Sequence, residues 1–223
     1  MTKKQKINFY ILSLFPESFS YFNTSILKRA QENNLIKIQI INPRDFSLNK
    51  HKKVDDKPYG GGVGMVMKVE PIYRAINFIK SKIKNSNKKT KVIVFSPRGK
   101  KFDQKIAQRF SKIDNLILIC GHYEGIDERV KKYIADEEIS IGDYILSGGE
   151  IPAMVVVDAV SRLIPGVLGK IESLEEIKGS YPVYTRPEKF YPNKKNKKIV
   201  WQVPKTLLSG NHKKIKEWRK SKI

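Results

Sequence analysis

Apolar residues along this chain gather into short runs separated by longer stretches of mixed polarity. Ile7 to Leu14, Ile36 to Ile41, Val92 to Phe95 and Leu116 to Cys120 are rich in Ile, Val, Leu and Phe, as expected of strands covered on both faces. Between them, Ser25 to Asn33, Glu70 to Ile83 and Asp103 to Lys112 read as helices, with Asp103 placed to cap the third. Strands alternating with helices predict an α/β fold. In Ile151 to Leu163 three valines suit a strand, but Pro152 in a first turn and the length of the run favour a helix. That helix would be apolar nearly all round, which predicts cover on two sides, the second by another subunit.

After Gly169 the pattern changes, because GKIESLEEIKGS is polar and bounded by glycines. The expected organisation is a large domain over residues 1–169, an interdomain linker over 170–182, and a small second domain over 183–223. The clearest helix of that second domain is Asn211 to Lys222.

A chain of 223 residues with 40% hydrophobic content can bury a genuine core. Its first apolar run is too short to cross a bilayer, so no membrane role is expected. The single cysteine, Cys120, excludes an internal disulfide framework and suits a reducing cytoplasm. Net charge is the largest departure from the ordinary, at +22 from 44 basic and 22 acidic residues. It fits a polyanionic partner such as RNA or DNA, or simply a lysine-rich solvated surface. Only nine of the basic residues are arginine. In so lysine-biased a chain, Arg129, Arg162, Arg186 and Arg219 stand out as candidates for specific planar contacts.

Two glycine-bearing turns follow apolar runs in GHYEGIDERV and SIGDYILSGGEIP, between Gly121 and Pro152. Turns of this kind at strand ends let backbone approach a small flat ligand. SPRGKKFDQ, Ser96 to Gln104, reads as a further loop at the same sheet edge. DDKPYGGGVGM, Asp55 to Met65, has four glycines in five residues but no GK[ST] closure, so it is not a Walker loop. It suits close approach by a phosphate or an extruded base, with Tyr59 free to stack. His51, His122 and His212 lie far apart with no metal-ligand spacing, so no metal residue is assigned.

These segments, together with YPVYTRP and LLSGNHKKIKEWR, resemble the successive motifs of the bacterial tRNA (guanine(37)-N1)-methyltransferase family, in the same order over nearly the whole chain. The resemblance implies the SPOUT fold: a parallel α/β domain with a trefoil knot at its carboxyl end, followed by a small, mainly helical C-terminal domain. It implies a cytoplasmic homodimer that methylates guanosine 37 of tRNA at N1, with S-adenosylmethionine as donor and Mg2+ as a further cofactor of unassigned position. The implied donor pocket takes Val94, Ser96 and Pro97 from the first loop. Gly121, Tyr123, Glu124 and Gly125 come from the second. The third supplies Ile141, Gly142, Asp143, Tyr144, Ile145 and Leu146, then Gly148, Gly149 and Pro152. Contacts to tRNA are implied for Asp55, Asp56, Tyr59, Gly60, Gly61 and Gly62, and in the second domain for Arg186, Ser209, His212 and Arg219.

Removing the guanine N1 proton requires a base. The family uses a linker aspartate, working with an arginine that matches Arg162 here. An ungapped alignment puts Ile177 at the aspartate's position, and isoleucine accepts no proton. The linker and the C-terminal domain are both shorter than the resemblance leads one to expect. Glu176 is therefore the expected base, with Glu175 the second candidate. Two alternatives stand beside this reading: a tRNA-binding protein that has lost its base, and a SPOUT methyltransferase for another RNA position.

Overall fold

The computed structural model describes residues 6–83, 88–169, 179–193 and 198–222. Glu175, Glu176 and Ile177 lie outside the described residues. Backbone contacts divide the chain into two compact units, Met1–Gly169 and Lys170–Ile223.

The first unit is built on a parallel five-stranded sheet. Its strands are β1 (Ile7–Leu12), β2 (Ile36–Ile41), β5 (Thr90–Lys101), β6 (Asn115–Ile119) and β7 (Glu137–Ser140), in the order β2-β1-β6-β5-β7. Alternation along β1 sends Phe9 and Ile11 into one core and Tyr10 and Leu12 into the other. The first core lies under α1 (Ser25–Glu32), α3 (Gln104–Phe110) and α5 (Glu150–Ser161). The second lies under α2 (Val69–Lys82) and α4 (Glu128–Tyr133). Helices on both faces explain why the strand sequences read as continuous apolar runs. Asp103 caps α3 as expected, its carboxylate accepting from the Ile106 amide at 2.8 Å.

One reading of the sequence needs correction. Ser96 to Gln104 is not simply a loop: β5 continues to Lys101, and both Phe95 and Lys100 oppose Ile139, so Ser96 to Gly99 bulge out of one long strand. The turn read at a strand end before Gly142 does follow a strand, β7, whose charged start, Glu137 and Glu138, kept it out of the apolar runs. A short antiparallel pair, β3 (Asp55–Asp56) and β4 (Val66–Met67), closes the glycine-rich segment into a hairpin.

The second unit contains β8 (Lys189–Phe190) paired antiparallel with β9 (Trp201–Gln202), then α6 (Lys205–Leu208) and α7 (His212–Lys220). Asn211 caps α7 by accepting from the Lys214 amide at 3.1 Å. None of this unit's described residues is fully buried.

Candidate functional site

Adjacent strands β6, β5 and β7 present their carboxyl ends side by side, and the segments leaving them surround one cavity of about 460 Å³. That size suits a nucleoside-sized ligand. The three segments are the Ser96 to Gly99 bulge, Gly121 to Asp127, and Ile141 to Gly149.

Backbone contacts lock them together. The Gly149 amide donates to the Gly121 carbonyl at 2.9 Å, tying the third segment to the second. A Cβ on Gly149 would lie 2.5 Å from the Cα of Cys120, and one on Gly142 would strike the Tyr144 ring. The glycine-rich hairpin joins the same structure: Glu124 donates to the Met65 carbonyl, Met67 to Gly125, and Asp127 to Met67, at 2.9–3.0 Å. A Cβ on Gly64 would strike the Glu124 side chain, and its positive φ favours glycine.

Beneath the cavity, the start of α5 is fastened to the end of β1. The buried Ser13 hydroxyl donates to Glu150 Oε1 at 2.7 Å and accepts from the Phe15 amide at 3.0 Å. Cys120 is buried beside them, and burial, with the Glu150 charge second, pushes its thiol pKa well up. The thiol therefore stays protonated and packs.

On the opposite wall, Lys131 Nζ lies 2.9 Å from Glu138 Oε1. Burial disfavours the charged form of Glu138, yet the Ser96 hydroxyl and the Lys131 ammonium beside it, with the nearby charge of Arg98, hold its carboxyl below the ordinary value.

Of the residues expected to hold the donor, Ser96, Pro97, Gly121, Tyr123, Glu124 and Gly125 line this cavity, as do Ile141, Gly142, Tyr144, Ile145, Leu146, Gly148, Gly149 and Pro152. Val94 does not: it is a fully buried core residue of β5, and Phe95 is the one that reaches the cavity. Asp143 is also displaced, being exposed and paired with Lys101 at 2.5 Å. Arg98, in the segment read as a further ligand-facing loop, lines the cavity as well, and His122 and Lys131 line it without having been anticipated there. The neighbouring motif glycines were the available signal for His122.

Asp55 and Asp56 form β3, with Asp56 bound to Lys68 at 3.3 Å. Gly60, Gly61 and Gly62 all adopt positive φ, and Tyr59 is fully exposed at the hairpin tip. Arg129, singled out for its planar fork, is engaged internally with Asp127 at 2.6–2.9 Å. In the second unit, Arg186 and Arg219 line a cavity of about 630 Å³, while Ser209 and His212 sit at the turn into α7.

Arg162 follows α5 at the end remote from the cradle. Twelve helical residues at 1.5 Å each separate the two by about 18 Å. Near it, the Tyr21 hydroxyl donates to Asp158 at 2.6 Å, and this hydrogen bond raises the phenol's pKa.

A doubly covered parallel sheet with interlocked backbone turns around a cavity at its carboxyl edge defines a ligand-binding α/β protein. The family model described as tRNA (Guanine-1)-methyltransferase TrmD matches residues 7–223. A tRNA (guanine-N(1)-)-methyltransferase of Carboxydothermus hydrogenoformans is 56% identical over 216 residues, covering 94% of this chain and 80% of that one. One from Clostridium botulinum (strain Eklund 17B) is 54% identical over 215 residues, covering 94% and 84%. The crystal structure of tRNA (m1G37) methyltransferase from Aquifex aeolicus superimposes with a TM-score of 0.78 at 42% identity, over 96% of this chain and 87% of that one. The chain belongs to the TrmD family of tRNA (guanine-1)-methyltransferases.

Proposed function

We infer that this protein methylates N1 of guanosine 37 in tRNA, with the cradle at the sheet edge as its S-adenosylmethionine site. The observation that carries this is the closure of three glycine-bearing segments around one cavity, in a chain that matches its family from residue 7 onward. The cavity fits the donor, because its backbone turns can hydrogen-bond an adenine edge and Ile141, Leu146 and Pro152 can cover its faces. When bound, S-adenosylmethionine supplies a methyl group on a cationic sulfur. Glu124 lies at the cavity with a carboxylate available to that positive charge.

Guanine must lose its N1 proton before its ring nitrogen can take the methyl group. Glu176 is our proposed acceptor and Glu175 the second candidate, with Arg162 stabilising negative charge on the base. The length of α5 bears on this assignment. Arg162 of one protomer cannot reach that protomer's own cradle, so the proposal requires a homodimer in which the partner's α5 runs antiparallel and brings its far end to the site. Ile151 and Val155 support such a contact, since they leave an apolar stripe 52% and 40% exposed on α5. The guanosine would then enter between protomers, flipped from the anticodon loop, with Tyr59 and the Gly60 to Gly62 turn at its entrance.

The trefoil knot and the cytoplasmic location belong to the same proposal and rest on the family likeness. No helix among the described residues is long and apolar enough to cross a membrane. The described residues gather no cluster of His, Cys, Asp or Glu fit for a metal, so Mg2+ is assigned no residue and no step.

The reading is tested by incubating the protein with methyl-labelled S-adenosylmethionine and two tRNA transcripts, one carrying guanosine 37 and one with adenosine there. Label is expected only in the first. Binding without transfer to either would favour a non-catalytic tRNA-binding protein, and equal transfer to both would indicate another RNA position.

A further inference from the structure

We propose that the Glu138–Lys131 pair behind the cradle sets its selectivity for a cationic methyl donor over the neutral thioether that remains after transfer. The inference rests on the reading of the cradle as an S-adenosylmethionine site.

The lining of the cavity is unfavourable to a positive ligand. Arg98 and Lys131 are its cations and Glu124 its carboxylate, in a chain whose net charge is +22. Lys131 matters most, because its side chain is only 15% exposed and water screens it poorly. Its partners differ: Glu128 lies 3.7 Å away and is largely solvated, whereas Glu138 lies 2.9 Å away and is itself about two-thirds buried. Glu138 is thus the charge that neutralises Lys131 where solvent cannot.

Glu138 is also held in place. It lies on β7, and its Oε1 is buried with the Lys131 ammonium 2.9 Å away and no other partner among the described residues. Gly99, at the end of the β5 bulge, packs on the Glu138 and Ile139 backbone so tightly that a Cβ would come within 2.6 Å of it. The backbone that carries Glu138 is thus held against the bulge, and its carboxylate sits against Lys131, away from the open rim.

Donor and product differ only by the methyl group and the charge on sulfur. A residue that merely shapes the cavity changes affinity for both. A residue that balances its charge changes the ratio between them.

The test is calorimetric measurement of dissociation constants for S-adenosylmethionine and S-adenosylhomocysteine with the wild type, Glu138→Gln, Lys131→Met and the double variant. Glu138→Gln should weaken the donor on the order of tenfold relative to the thioether. The double variant should return the ratio to within about twofold of wild type, because removing the cation removes the need for its partner. Equal losses for both ligands in Glu138→Gln, or a ratio the double variant leaves displaced, would overturn the proposal. If Glu138→Gln fails to fold, Lys131→Met decides: a shift of several-fold toward the donor is expected, and no shift overturns it. A wild type that binds neither ligand is a separate result, which removes the cofactor reading itself.

Discussion

A side chain on Gly149 would collide with Cys120 and Gly121 at the crossing of two cradle segments, so that position admits only glycine. Such residues were legible in the sequence because a glycine beside an apolar run has few other uses. Position along a motif does not say which way a side chain faces, however. Val94 and Asp143 stand among cradle residues in the sequence, yet one points into the core and the other pairs with Lys101 across the surface. Arg129 shows the same limit: its rarity as an arginine was visible, but its neighbour Asp127 uses the guanidinium. The linker glutamate is judged by chemistry. Replacing Glu176 with Gln keeps the shape and removes the base, so single-turnover methyl transfer should slow by at least ~100-fold while tRNA affinity holds. An unchanged rate would pass the role to Glu175 or to a group elsewhere.

Among the elements, α5 does most to connect fold and function. Its start is fastened by Glu150 and Ser13 beneath the cradle, its middle carries an uncovered apolar stripe, and Arg162 follows its end. The sequence foretold its helical state and its need for cover, since Pro152 and unbroken apolarity leave few alternatives. It could not show which residues remain exposed. Val155→Lys places a charge on the proposed contact without touching the cradle lining. Sedimentation should then report a monomer, methyl transfer should be lost, and S-adenosylmethionine binding should persist in large part. A variant that stays dimeric, or a monomer that keeps full activity, would contradict the shared site. Strands β1 and β6 were equally plain as buried runs, whereas β2, at the sheet's edge, buries only Ile36 of its apolar run. The start of β7 was hidden because Glu137 and Glu138 are spent on Arg109, Lys91 and Lys131 at the sheet's edge. The β5 bulge was hidden because a register shift depends on the partner strand.

Over the whole molecule, charge is distributed unevenly enough to suggest a division of labour. Residues 170–223 hold fifteen Lys and Arg against five Asp and Glu, on a unit with no fully buried described residue. A surface of that kind binds phosphates through counterion release. Affinity for tRNA should therefore fall by at least ~100-fold between roughly 50 mM and 200 mM salt, measured by filter binding. A flat salt response would mean that the lysines are merely solvated. Fold class and family were legible because the motifs extend over nearly the whole chain. The proposed dimer, the threading of the chain and the place of the base depend on geometry that linear spacing does not carry.

The central claim is that this chain places a methyl group on N1 of one particular guanosine. Nucleoside analysis by mass spectrometry, after reaction with S-adenosylmethionine and a tRNA transcript bearing guanosine 37, tests it most directly. The expected product is 1-methylguanosine at that position, with none in the transcript bearing adenosine 37. Methylation at another atom or another nucleotide, or an unmodified transcript recovered from protein that binds both ligands, would contradict it.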